Sequence, residues 1–170
     1  RPSMDPVLYH EVTKRIRDSG TDVIINLTTG PGARYIPSAD VPGQASADST
    51  MCAPEQRVVH VEELSPEICS LDVATMNFNQ HVFLNHPDHL AIMANRIRTA
   101  GTKPELEVFD TGHIVLARKM IDDGLIAPPP YFQFCLGISY GAPASVETML
   151  LMRDMLPAGA IWSDRKSNTS

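Results

Sequence analysis

Basic residues are few and scattered in this chain. It carries 14 Lys and Arg against 20 Asp and Glu over 170 residues, a formal charge of -6. A surface that tracks phosphates needs clustered cations, so nucleic acid is excluded as a partner. The Lys14, Arg15 and Arg17 group lies among Glu11 and Asp18 and reads as a solvated helix face. No run approaches the roughly 18 consecutive apolar residues of a membrane span, so no membrane partner is expected. Cysteine is scarce. Cys52, Cys69 and Cys135 show neither CxxC spacing nor an even count, which points to a reducing, cytoplasmic setting. Aromatic residues make up only 6% of the chain. There is no initiator methionine and no signal peptide; Arg1-Pro2-Ser3 reads as a chain entered mid-sequence.

Short apolar runs, polar or glycine-rich corners and amphipathic helices recur along the sequence. Residues 5–19 form a first helix, with Asp5 as cap and Pro6 in the first turn. The run 23–27 is a strand that ends at Thr28-Thr29-Gly30-Pro31-Gly32. A long loop follows, from about Ala33 to Met51. Helices over 54–64, from Pro87 to Gly101, 111–123 and 145–155 alternate with strands at 67–72, 104–109, 131–137 and from about 160. Strands and helices in this rhythm form a parallel α/β sheet, and polar residues after every strand favour a closed barrel over an open doubly wound sheet. The strands read as apolar on both faces, as a helix-covered sheet requires.

Candidate chemistry collects at the carboxyl ends of these strands. The Thr28–Gly32 corner suits either an anion held by backbone N–H groups or a tight turn. Thr75 offers a hydroxyl, and Asn77 an amide or a turn cap. Glu105 and Glu107 lie two apart on one strand and share a face. Glu107 is nearer the open end and is the candidate site acid, whereas Glu105 supports the floor. Asp110 reads as a helix cap and His113 as an orienting or capping group. His81, His86 and His89 straddle a helix start and match no zinc pattern.

Four segments then fall into line: residues 25–30 (INLTTG), 70–78 (SLDVATMNF), 103–110 (KPELEVFD) and 137–141 (GISYG). In this order and spacing they resemble the β-keto acid cleavage enzymes, the family of 3-keto-5-aminohexanoate cleavage in lysine fermentation. The resemblance implies a zinc-dependent (β/α)8 barrel acyltransferase, a homo-oligomer when full length. Its reaction is a retro-Claisen exchange of a β-keto acid with acetyl-CoA, giving acetoacetate and a new acyl-CoA. On this resemblance Thr28, Thr29, Gly30 and Thr75 are substrate-binding positions and Glu107 is the catalytic acid position.

The family's zinc pair, a His-x-His, is expected upstream of residue 1, and its glutamate ligand downstream of residue 170. The resemblance therefore implies a partial barrel over 1–163, without the first two strands and the last. The zinc ligands would lie outside this piece. Residues 164–170 stop resembling the family and read as a divergent polar tail. Two alternatives stay open: a metal-dependent aldolase or lyase on the same barrel, with a phosphate at Thr28–Gly32, or an inactive truncated product.

Overall fold

The computed structural model describes residues 3–41 and 43–166. In chain order the elements are α1 (Pro6–Asp18), β1 (Asn26–Thr28), β2 (Ala33–Tyr35), β3 (Thr50–Met51), α2 (Pro54–Arg57) and α3 (Val59–Leu64). Then come β4 (Ile68–Asp72), β5 (Met76–Phe78), β6 (His81–Phe83), α4 (Pro87–Thr99) and β7 (Lys103–Val108). The rest are α5 (Thr111–Asp122), β8 (Tyr131–Leu136), α6 (Val146–Asp154) and β9 (Ile161–Lys166). Local chemistry sets the helix ends. Asp5, His86, Asp110 and Ser145 each accept a first-turn N–H, and Pro6 and Pro87 fill first-turn positions where no N–H is needed.

Strands β1, β4, β7, β8 and β9 pair in parallel and in chain order. The sequence expectation of parallel neighbours in succession holds. Among the described residues β1 and β9 each have one neighbour in this sheet, so the sheet is open and shows no barrel closure. No helix among the described residues is long and apolar enough to cross a membrane.

Period-two alternation divides the sheet into two unlike faces. Leu71, Leu106, Val108, Phe132, Phe134 and Leu136 point to the helices and pack against Val61, Leu90, Met93, Ile97, Ile114 and Met152. The opposite face carries Thr28, Ser70, Asp72, Glu105, Glu107, Gln133 and Arg165, which line a cavity. The reading of strands as apolar on both faces is thus corrected: one face is polar because it borders open space rather than helices.

Three boundaries also differ from the sequence reading. The first strand begins at Asn26 rather than Val23. Its partner β4 starts only at Ile68, so Val23 and Ile24 have no ladder to join and stand 42% and 71% exposed. The expected loop 33–51 contains β2 and β3, which join the hairpin β5–β6 in a second, antiparallel sheet of order β3-β2-β6-β5. Asn79, at φ 54, supplies the left-handed residue of that hairpin turn. At the other end, Asp164, Arg165 and Lys166 continue β9 opposite Phe134, Cys135 and Leu136. The polar tail placed from residue 164 therefore opens inside a strand, and residues 167–170 lie outside the described residues.

Leu106 sits at the centre of the apolar face with no exposure, whereas Val115 on α5 is 61% exposed. Leu106→Ala should cost about 2–5 kcal/mol of unfolding free energy, and Val115→Ala no more than about 0.5 kcal/mol. Urea titration of both variants checks this; equal losses would mean the helix layer does not pack on the sheet.

Candidate active site

A cavity of about 770 Å³ opens on the polar face, at the carboxyl ends of β1, β4, β7 and β8. The strands supply its floor. The antiparallel sheet supplies a wall of Phe78, His81 and Phe83, and α1 adds Leu8, Tyr9 and Val12. Among the described lining residues Arg165 is the sole Lys or Arg.

Glu105 is 3% exposed and firmly tied. It accepts a hydrogen bond from Asn26 Nδ2 at 2.7 Å. The Gln133 amide, turned with its NH2 towards the carboxylate, donates at 2.8 and 3.2 Å. These bonds reach from β1 to β8 and offset the cost of burying the charge. Glu105 is therefore the floor support expected from sequence. Glu107, one pleat nearer the mouth, is half-buried, and its Oε2 accepts from the Cys135 thiol at 3.4 Å.

Opposite Glu107 in the register stands Asp72 on β4. Asp72 is 7% exposed, and burial first, then the Glu107 charge, push its carboxyl well above the ordinary aspartate range. The Arg57 guanidinium works in the other direction. Sequence reasoning missed Asp72. The available signal was its place two residues after Ser70, on the same face of the strand.

Thr28 and Gly30 line the cavity as expected. The Thr28 Oγ1 accepts from the Gly30 N–H at 3.1 Å, and among the described residues nothing takes its own hydrogen. That hydroxyl is free to donate into the cavity. A Cβ on Gly30 would stand 3.1 Å from Asp72 Oδ2 and 3.3 Å from Thr28 Oγ1, so glycine keeps this corner open.

Thr29 and Thr75 are not brought into the lining. The Thr29 side chain is fully buried, and its hydroxyl donates to the Ser70 carbonyl at 2.8 Å. The alternation that aims Thr28 at the cavity aims Thr29 away from it. The Thr75 hydroxyl donates to the Asn85 carbonyl at 3.1 Å and accepts from its N–H at 2.9 Å, clamping the base of the hairpin. Neither threonine joins Thr28 and Gly30 in the lining.

The Thr28–Thr29 corner is held from behind. Buried Arg57 donates through Nε and Nη2 to the Thr29 carbonyl at 3.0 and 2.9 Å. The His60 Nε2–H donates to the Thr28 carbonyl at 2.9 Å, since a carbonyl only accepts, and its ring stacks on Tyr9. Burial lowers the His60 pKa, which suits a neutral ring. His113 accepts the Phe109 N–H through Nδ1 at 3.1 Å and stays out of the cavity lining.

Burial pushes the Cys69 thiol up to about 12 and raises Cys135 as well, so neither is a ready nucleophile. Residues 137–141 do spell G-x-S-x-G, the spacing of a hydrolase nucleophile elbow. Yet the strained residue there is Tyr140, at φ 68, and Ser139 does not line the cavity. Among the described residues no three of His, Cys, Asp and Glu are grouped to hold a metal ion. The residues present do not fit the zinc site implied by the resemblance.

The model of the β-keto acid cleavage enzyme family matches residues 1–165. The chain belongs to this family. It is 40% identical over 160 residues to the 3-dehydrocarnitine:acetyl-CoA trimethylamine transferase of Rhizobium meliloti, covering 92% of this chain and 53% of the relative. It is 29% identical over 163 residues to a 3-keto-5-aminohexanoate cleavage enzyme of Fusobacterium nucleatum, covering 95% of this chain and 53% of that protein. The chain thus spans about half the length of the curated relatives it matches. The solved structure of ObcA with oxaloacetate shares the fold at a TM-score of 0.62 and 22% identity, over 81% of this chain and 27% of ObcA.

Arg57→Ala removes two charge-assisted hydrogen bonds from a buried carbonyl, each typically worth about 1.5–3 kcal/mol. A loss of at least about 2 kcal/mol is expected on denaturant unfolding. Arg57→Lys should recover only part of it, because an ammonium cannot reproduce the planar fork. Full recovery by lysine would show that the charge matters and the geometry does not.

Proposed function

We propose that this chain forms the substrate floor of an acetyl-CoA-dependent β-keto acid cleavage enzyme, an acyltransferase. In the reaction C2 of the keto acid joins the acetyl carbonyl carbon as the acetyl–sulfur bond breaks. The CoA thiolate then takes the C3 acyl carbon as the C2–C3 bond breaks, and the proton first removed from C2 returns to the acetoacetate carbon. Acetoacetate leaves, and the remaining acyl group departs as its CoA thioester. Family membership over 1–165 supports the reaction class. The observation that carries the site is the convergence of Thr28, Gly30 and Glu107 on one cavity at the strand ends.

In this reading the Thr28 O–H donates to an oxygen of the keto acid, and Gly30 lets the substrate approach the backbone. Glu107 takes the C2 proton, which must leave before C2 can act as a carbon nucleophile. Arg165 faces the same cavity and suits the substrate carboxylate. Zinc dependence belongs to the proposal, with ligands from outside the described residues, as do a closed barrel, a homo-oligomer and a cytoplasmic location.

Thr28→Ala should raise the barrier read from kcat/KM by about 1.5–3 kcal/mol. Glu107→Gln should cut kcat on the order of 10²-fold or more, the usual share of a general base. Acetoacetate formation from acetyl-CoA and a keto acid is the assay. An unchanged kcat/KM in Thr28→Ala would reduce that residue to a turn former.

Among keto acids, one with a cationic head suits this lining best. The Glu107 carboxylate and the rings of Phe78, Phe83 and Phe109 share the cavity, and aromatic faces beside a carboxylate attract quaternary ammonium. The relative from Rhizobium meliloti is named for such a compound. We expect 3-dehydrocarnitine to be favoured in kcat/KM by at least about tenfold over its uncharged isostere 5,5-dimethyl-3-oxohexanoate. Equal values for the two would remove the cationic preference and leave the reaction class intact.

A further inference from the structure

We propose that Asp72 is a positioning residue that donates its carboxyl hydrogen to Glu107 and so holds the Glu107 carboxylate in place at the cavity floor. The role in catalysis rests on the function proposed above; the shared hydrogen does not.

The geometry begins with the register. Asp72 and Glu107 are direct partners on adjacent parallel strands, so their side chains leave the sheet on the same face. Both line the same cavity, and the Glu107 charge helps to raise the Asp72 carboxyl. Two carboxylates in such contact cannot both ionise without a counter-ion between them. No Lys, Arg or His makes an ion pair with either among the described residues. The pair therefore favours holding a proton.

Burial decides where it stays. Asp72 is 7% exposed, while Glu107 is half-buried and nearer the mouth. Desolvation penalises the charged form at buried Asp72 first, so the proton is assigned to Asp72. Glu107 then accepts twice, from the Asp72 carboxyl and from the Cys135 thiol. Two donors from β4 and β8 fix a carboxylate that would otherwise swing on its flexible stem.

The other titratable groups around the pair leave this assignment standing. Arg57, from α2, keeps its charge while donating to the Thr29 carbonyl and works to lower the Asp72 carboxyl, but burial and the Glu107 charge outweigh it. Glu105 is occupied by Asn26 and Gln133. His81 on β6 has a lowered pKa, through burial and then Arg34, and brings no lasting charge at neutral pH. Tyr9 on α1 and Tyr131 on β8 both titrate above their ordinary values. Arg165 on β9 acts on Cys135.

The sign of the pH effect follows. A carboxyl that keeps its proton in the fold adds stability that is complete below the ordinary aspartate value of 3.8 and is lost as pH rises. Asp72→Asn cannot ionise, keeps the shape and still offers an N–H to Glu107. It should flatten that part of the stability profile.

The test is a carboxyl-carbon NMR titration of the whole chain labelled at aspartate, beside the acetoacetate assay on the full-length protein. One aspartate signal should remain in the protonated position at pH 7 and be missing in Asp72→Asn. In Glu107→Gln that signal should titrate at lower pH, because the like charge is gone. If every aspartate is ionised at pH 7, or if Glu107→Gln leaves the midpoint unmoved, the shared hydrogen is refuted. In kinetics Asp72→Ala should lose at least tenfold in kcat with little change in KM, and Asp72→Asn should recover most of that loss. Asp72→Asn as poor as Asp72→Ala would overturn the donor role. A protonated Asp72 in a protein that makes no acetoacetate would sink the proposed function alone. Turnover with an ionised Asp72 would sink the pair alone.

Discussion

The ladder between β4 and β7 fixes two things at once. By setting Leu71 beside Leu106 it builds the centre of the apolar layer, and by setting Asp72 beside Glu107 it builds the floor of the cavity. A slip of one residue would exchange the two faces, burying carboxylates under the helices and turning leucines to the cavity. The energy that holds the register is apolar and comes from the helix side. The chemistry it organises lies on the other side. Stability and site geometry therefore share one constraint, and the packed layer keeps two acids in contact where isolated strands would let them part.

The rest of the site is arranged around that floor by bonds that run behind it. Arg57 and His60 each grip a carbonyl of the Thr28–Thr29 corner. Glu105 joins three strands through Asn26 and Gln133. These groups take no part in the proposed reaction, yet they account for the direction of the Thr28 hydroxyl and for the separation of Glu105, the hydrogen-bonded support, from the half-buried Glu107.

Much of this was legible in the sequence, for identifiable reasons. The alternation of apolar runs with capped helices located the five parallel strands, because Pro6, Pro87, Asp110 and Ser145 mark helix starts by local bonding alone. The separate positions of Glu105, buried at the floor, and Glu107, half-buried and nearer the mouth, followed from their spacing and their distance from the strand end. That Thr29 and Thr75 stand outside the lining was not legible because a threonine at a strand end carries no mark of which way its hydroxyl faces; strand phase decides that, and β1 is only three residues long. Asp72 was missed because its importance lies in a neighbour 35 residues away, which only the pairing of strands reveals. The antiparallel sheet escaped notice because its strands are two or three residues each, too short for periodicity to register.

That small sheet has a consequence for how the site can diversify. Phe78, His81 and Phe83 form a wall that belongs neither to the parallel ladder nor to the main helix-facing core. The wall and the floor are separate modules, joined at Gly30 and at the Thr75–Asn85 clamp. Exchange of wall residues reshapes the space above Glu107 while the register that aligns the acids is untouched. The shape of the space above Glu107 and the alignment of the two acids are thus set by different parts of the chain.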